Sequence, residues 1–357
     1  MNGSAVGGVG GGLRVLAAPD KFRGSATAPE AARAISAAVR SRGGTARELP
    51  LADGGEGTLD AFGGPNRWST VTGPLGGPVV AGWRLTDDGQ AVIEMALASG
   101  LQLAGGADGN DPWAATTAGT GELMLAATDA GAGRIILGLG GSATTDGGLG
   151  ALRVVAADSR WDPHGNGHHR PELVVCCDVS TSFSAAANVF GPQKGADRRM
   201  VADLRKRLTD LENRYLTEYH IDVSMIAGAG AAGGLAGAMT ILGGTLVPGF
   251  DLIADTLDLD DALREADLVI TGEGRLDAGS FEGKVVGGVT ARARALGVPV
   301  VAVVGEQTDP APSDVAVLSL VDLFGRTAAL QDAGHCIENA VSQHLWALKP
   351  ALPVPAA

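Results

Sequence analysis

The sequence predicts an α/β fold of two domains: a Rossmann/flavodoxin-like parallel-sheet domain carrying an inserted mixed α/β domain, with an interdomain cleft. Three observations predict it. A length of 357 residues is about twice the usual ~150 per domain. Short apolar runs of strand length recur, each followed by a tip of glycine and carboxylates and then by a helical stretch, which is the alternation that builds parallel sheets. Hydrophobic residues make up 45% of the chain and charged residues 19%, enough apolar surface to offset the entropy of ordering, so wholesale disorder is excluded.

The elements follow in chain order. Met1 to Gly12 has no basic residue and no apolar stretch, so it reads as a flexible glycine-rich tail and not as a signal peptide. Leu13 to Ala18 is the first strand, leading to Pro19 and Asp20; Thr27 with Glu30 then forms a capping box ahead of a helix that ends at Gly43. Glu48 to Leu51 leads to the tip Ala52-Asp53-Gly54-Gly55-Glu56-Gly57. Val79 to Leu85 and Ala91 to Met95 flank the turn Asp87-Asp88-Gly89, an antiparallel hairpin that opens a second, mixed domain. Arg134 to Leu137 leads to Gly138-Leu139-Gly140-Gly141-Ser142, and Leu173 to Cys177 ends at Asp178. Leu268 to Thr271 ends at Gly272-Glu273-Gly274-Arg275, and Val300 to Val304 at Gly305-Glu306. Because the final third returns to strand and helix alternation, residues 13–70 and 255–357 are expected to share one domain, with 71–254 inserted.

Composition narrows the function classes. Acidic residues exceed basic ones, 40 against 27, and the formal charge of −13 would repel a nucleic acid duplex. Cys176, Cys177 and Cys336 form no spaced pairs, which argues against a disulfide framework and for a reducing, cytoplasmic setting. Val223 to Phe250 runs without a charge for longer than a bilayer requires, but its glycines, Pro248 and the single stripe Leu235, Met239, Leu242 suit a small-residue helix buried in an enzyme, so no membrane span is expected.

Two glycine motifs suggest anion binding. Gly228-Ala229-Gly230-Ala231-Ala232-Gly233 matches the dinucleotide fingerprint, with Asp251 near the place of the ribose-binding acid; alone it suggests an NAD(P)-dependent oxidoreductase, although its flanking strands are poor. Gly138 to Ala143 follows a better strand. There, exposed amides, the hydroxyls of Ser142, Thr144 and Thr145, and a helix start capped by Asp146 would suit phosphate. No Walker A motif is present, so phosphoryl transfer would need another scaffold. Its requirements are carboxylates for magnesium, a base or positioning group for the hydroxyl, and cations for the equatorial oxygens. Asp20, Asp53, Asp178, Glu273 and Asp277 supply the first two, and Lys21, Arg23, Lys194, Arg275 and Lys284 the third. His164, His168 and His169 lie in a glycine-rich stretch without cysteine, better read as a solvated loop than as a zinc site.

Taken together the motifs resemble the type-1 glycerate kinase family. The resemblance rests on Ala18-Pro19-Asp20-Lys21-Phe22-Arg23-Gly24-Ser25, Ala52 to Thr58, Gly138 to Gly148, Cys177-Asp178-Val179, Val189 to Ala196, Gly228 to Gly234, Thr271 to Asp277, and Gly283-Lys284, in family order over most of the chain. It implies ATP-dependent phosphorylation of D-glycerate, most often to the 2-phosphate, with Mg2+. It also turns Gly228 to Gly233 from a nucleotide loop into a family helix start. On this reading Lys21 or Arg23 holds the glycerate carboxylate, with Ser25, Asp53, Glu56 and Arg275 also on the substrate. The Gly140, Gly141, Ser142, Thr144 and Asp146 loop, with Lys194 and Lys284, lies near the nucleotide phosphates. Asp277 or Asp178 orients the attacking hydroxyl, and Asp20 or Glu273 holds magnesium. Two departures stand out: Arg23 occupies a position where the family usually has lysine, and the stretches Gly150 to Cys176 and Ser180 to Asn188 are shorter than usual. The second departure admits a catalytically impaired homologue that only binds a small acid. A homodimer is one option for the assembly.

Overall fold

The computed structural model describes residues 12–164, 170–281 and 283–345. Among them the strands are β1 (Arg14–Pro19), β2 (Thr45–Glu48), β3 (Arg67–Thr72), β4 (Pro78–Leu85), β5 (Gln90–Glu94), β6 (Arg134–Gly138), β7 (Glu172–Cys176), β8 (Thr245–Val247), β9 (Leu268–Leu276), β10 (Val300–Gln307) and β11 (Val315–Ser319). They form two sheets in two compact units, with the helices around them. One unit holds the described residues up to Leu51 and those from Ala254 onward; the other is Ala52–Ile253. The segment 52–70, which the sequence places with the first unit, falls in the second, because β3 pairs antiparallel with β4.

In the first unit the order β11-β10-β9-β1-β2 is parallel throughout. A parallel sheet covered on both faces needs near-continuous apolar strands, and Val15, Leu16, Ala17 and Ala18 of β1 are all buried. The helix Ala28–Ser41 starts at the expected capping box: the Glu30 amide donates to Thr27 Oγ1, and the Thr27 amide donates to Glu30 Oε2 at 2.8 Å. Such a cap contributes about 1 kcal/mol. The helix buries Ala31, Ile35, Ala38 and Val39 against Ile337 and Val341, in a core shared with Val301 and Val303 of β10.

In the second unit the order is β3-β4-β5-β6-β7-β8, antiparallel as far as β5 and parallel from there. The hairpin turn lies where expected, with Gly89 at φ +85°. The short connection into β7 is anchored by Trp161, fully buried, whose Nε1 donates to Thr128 Oγ1 at 3.1 Å. The charge-free stretch after Val223 forms the helix Ala231–Ile241, and no helix among the described residues is long and apolar enough to cross a membrane.

Candidate active site

Parallel strands gather the first unit's chemistry at their C-terminal ends. β1 stops at Pro19, and the Asp20 amide donates to the Gly272 carbonyl at 2.8 Å, which sets Asp20 beside β9. Lys21 Nζ lies 3.5 Å from Asp20 Oδ1, with both side chains mostly buried. The Gly272-Glu273-Gly274-Arg275 segment is not the turn that its glycines suggest. It continues β9, in register with β10 as far as Gln307. The glycines serve close approach: a Cβ on Gly272 would stand 2.1 Å from the Val303 carbonyl oxygen, and one on Gly305 2.3 Å from that of Gly274.

Glu273 therefore projects from a paired strand, and its Oε1 is buried without a donor. Burial pushes its carboxyl up to about 7, with the Ser280 hydroxyl and Lys284 pulling down and Asp20 and Asp277 adding to the rise. Asp277 sits just past β9. Its amide donates to Ser280 Oγ at 2.9 Å and its Oδ1 accepts from the Gly279 amide at 3.0 Å. A Cβ on Gly279 would lie 3.2 Å from Asp277 Oδ1 and 3.7 Å from Lys284 Nζ, so the two charges flank one glycine. Asp20, Lys21, Glu273, Asp277 and Lys284 thus form one group, while Arg23 and Arg275 are exposed at its edge and Ser25 lies in the turn after Phe22. Among the described residues no set of three or more His, Cys, Asp or Glu side chains is arranged to hold a metal alone. Mg2+ in kinases takes one or two carboxylates and draws its other ligands from water and phosphate, and the unpartnered Glu273 oxygen suits that role. His168 and His169 lie outside the described residues; His164 stacks on Tyr219.

The second unit stacks two glycine loops. The Leu139 amide donates to the Gly54 carbonyl at 3.1 Å, and a Cβ on Gly140 would stand 2.5 Å from Gly55 Cα. Asp53 Oδ1 accepts from the Gly55 amide at 3.1 Å, and Glu56 is exposed. Asp178 Oδ1 accepts from the Gly249 amide at 2.7 Å. Burial pushes its carboxyl up to about 6; the Gly249 amide opposes this, while Asp53 and Asp251 add to it.

The phosphate-loop expectation is corrected in part. Gly141 is exposed and Gly140 half-buried, and among the described residues their amides meet no acceptor. Thr144 and Thr145, however, are fully buried, and the Thr144 hydroxyl donates to the Ala232 carbonyl. The following helix, Leu149–Val155, is too short and begins too late to present its start to a ligand. Asp146 spends both oxygens within the unit, accepting from Thr117 N and Oγ1, Gly148 N and Gly150 N. It holds the loop and does not face a nucleotide. Lys194 is enclosed behind the loop, donating to Ser142 Oγ and the Thr144 carbonyl at 2.7 Å each. Burial pulls its ammonium down to about 7, with Asp146 opposing.

The dinucleotide reading of Gly228 to Gly233 fails on geometry. A 3-10 helix, Val223–Met225, precedes the loop in place of a strand, and the loop is buried. A Cβ on Gly233 would stand 2.0 Å from the Thr144 carbonyl oxygen. A nucleotide loop must offer its amides to solvent, and this one packs against the Gly138 to Gly148 segment.

A model of the glycerate kinase family matches the chain in two stretches, residues 15–166 and 165–347. The chain belongs to the glycerate kinase family. The two stretches meet within the connection from Gly150 to Cys176. The glycerate 2-kinase of Escherichia coli K12 is 39% identical over 329 residues, covering 83% of this chain and 86% of the relative. The glycerate kinase of Bacillus subtilis 168 is 40% identical over 328 residues, covering 82% and 85%. A crystal structure from Salmonella typhimurium LT2, assigned provisionally as a glycerate kinase 2, superposes with a TM-score of 0.81 at 34% identity, covering 96% of this chain and all of that one.

Two site residues of this glycerate kinase family member escape sequence reasoning. Glu94, at the end of β5, is buried, and its Oε1 accepts from the Gly57 amide at 3.1 Å and the Leu59 amide at 2.6 Å, fastening the Asp53 to Gly57 loop. Burial pushes its carboxyl up to about 7 against those two donors. Asn110 Nδ2 donates to the Ala143 and Lys194 carbonyls at 3.0 and 2.9 Å. The position of Glu94 after an apolar run was the one available signal. Gly54 gives a direct test of how the Asp53 to Gly57 loop seats on β7, since its φ is +85° and a Cβ would stand 2.3 Å from that of Cys176. Gly54→Ala is expected to cost at least about 2 kcal/mol in urea denaturation. Unchanged stability would show that the loop is not held against β7.

Proposed function

We propose that the chain is an ATP-dependent kinase that phosphorylates D-glycerate to phosphoglycerate, the 2-phosphate first among the products, by in-line transfer. The observation that carries this reading is the group of Asp20, Glu273, Asp277 and Lys284 at the C-terminal ends of β1 and β9, in a chain of this family. Asp277 or Asp178 accepts the proton of the attacking hydroxyl or orients it. Lys21 and Arg23 take the glycerate carboxylate, with Arg275 beside them, and Lys284 offsets charge on the transferred group. The Gly140 and Gly141 amides receive the anionic end of the nucleotide. Asp20 and Glu273 would hold Mg2+, which supplies charge neutralisation on the phosphates.

The test is direct. Purified full-length chain is incubated with ATP, MgCl2 and D-glycerate; release of ADP above a blank supports the reading, and its absence overturns it. Phosphorus NMR of the product assigns the hydroxyl. The meeting of the two family stretches near residue 165 favours one second reading, a homologue that retains acid binding and has lost transfer. Calorimetric binding of D-glycerate with no ADP release would establish it.

A further inference from the structure

The loop that carries Gly140 and Gly141 is gripped from behind at three consecutive residues. Lys194 Nζ donates to Ser142 Oγ and to the Thr144 carbonyl, both at 2.7 Å. Between them, Asn110 Nδ2 donates to the Ala143 carbonyl at 3.0 Å and also to the Lys194 carbonyl at 2.9 Å. The two grips are therefore joined to each other as well as to the loop. Gly195 makes the junction feasible: it has φ +94°, and a Cβ there would stand 2.2 Å from the carbonyl oxygen of Ala107, three residues before Asn110. A lysine so enclosed is costly to hold unless its donors are used, and here two acceptors take them. Asp146 is the charged group that acts on it, and its oxygens are already engaged by Thr117, Gly148 and Gly150. Two N–H groups suffice for the grip, and the neutral amine offers two as well as the ammonium does.

Resting on the kinase reading above, we infer that Lys194 and Asn110 are positioning residues. Together they hold Ser142, Ala143 and Thr144 so that the Gly140 and Gly141 amides face the nucleotide phosphates, and neither side chain touches the nucleotide. A family lysine in a motif beside a phosphate loop would ordinarily be assigned to the phosphate. The geometry points instead to a side chain spent on the loop itself, on the Ser142 hydroxyl and the Thr144 carbonyl.

The test compares wild type, Lys194→Met, Asn110→Ala and the double variant, all as full chains. Without substrate, hydrogen exchange at the Ala143 amide, bonded to the Ser99 carbonyl, and at the Leu101 amide, bonded to the Gly141 carbonyl, is expected to quicken by about tenfold or more in each single variant. In turnover assays the KM for ATP rises about 10-fold or more in both, the KM for D-glycerate stays within about twofold, and the double variant is no worse than about threefold below the poorer single. Unchanged exchange overturns the inference. So does an ATP effect from Lys194→Met with none from Asn110→Ala, which would put the amine on the phosphate itself. If Lys194→Met fails to fold, Ser142→Ala removes one of the amine's acceptors and must quicken exchange at the same amides, or the inference falls. The exchange measurement needs no turnover. A wild-type chain inert toward ATP would therefore remove the kinase reading while the grip on the loop is still decided.

Discussion

Asp277→Asn is expected to lower kcat by about 10²- to 10⁴-fold, the usual contribution of a positioned acid or base. The fold should survive. Asparagine keeps an Oδ1 acceptor for the Gly279 amide, and the backbone bond from Asp277 to Ser280 Oγ does not involve the side chain. What disappears is the carboxylate charge beside Glu273 and Lys284. The KM values for ATP and D-glycerate should stay within about threefold, because the substitution removes an interaction made in the transition state and leaves ground-state binding in place. Steady-state kinetics with a thermal melt decides it. A variant with wild-type kcat would take Asp277 out of the reaction, and a variant that unfolds would make it a structural residue of the Asp277 to Ser280 turn.

The second large effect concerns stability and pH. Glu94 and Glu273 rise from 4.5 to about 7 in the folded chain and Asp178 from 3.8 to about 6, each chiefly through burial. Across that window the folded state binds more protons than the unfolded one, so stability falls as pH rises toward 7. Lys194 falls from 10.5 to about 7 through burial. Above that value the unfolded state binds more protons, so stability recovers as pH rises, until Cys176, pushed up from 9.0 to about 12, offsets the gain beyond 9. The ligand-free protein should thus be least stable near neutrality, where many proteins are most stable. Glu94 alone contributes about 3 kcal/mol at most to the acid limb. Urea denaturation at about pH 5.5, 7 and 8.5, followed by the fluorescence of the buried Trp83 and Trp161, should give a minimum at the middle value, and Glu94→Gln should flatten the acid side. A maximum at neutrality would mean that these groups keep their ordinary protonation in the folded chain.

The sequence carried the local part of this architecture well. Thr27 and Glu30 lie three residues apart, and the cap they form depends on nothing else in the fold. Strand positions were legible because buried parallel strands are written as short apolar runs. Glycine was harder. Gly54 and Gly141 have positive φ and sit in turns, while Gly272 and Gly305 are strand residues that let two backbones approach, and composition does not separate these uses. Hydroxyl chemistry misled in the same way: Ser142, Thr144 and Thr145 are adjacent, yet the two threonines are fully buried. The residues that fasten the loops were out of reach for a different reason. Glu94 acts on Gly57 and Leu59, and Asn110 on Lys194, across separations that carry no spacing signature.

The position of β1 between β9 and β2 has a consequence for how the chain is made. During synthesis the second unit emerges as one continuous stretch and can close while the ribosome is still working. β1 emerges far earlier but lacks its central neighbour until β9 appears, about 250 residues on, a delay of roughly 10–50 s at 5–20 residues per second. A nascent chain ending before Leu268 would hold a finished second unit and an exposed, unpaired edge on β1. Asp20 and Glu273 come together only in the last phase of translation.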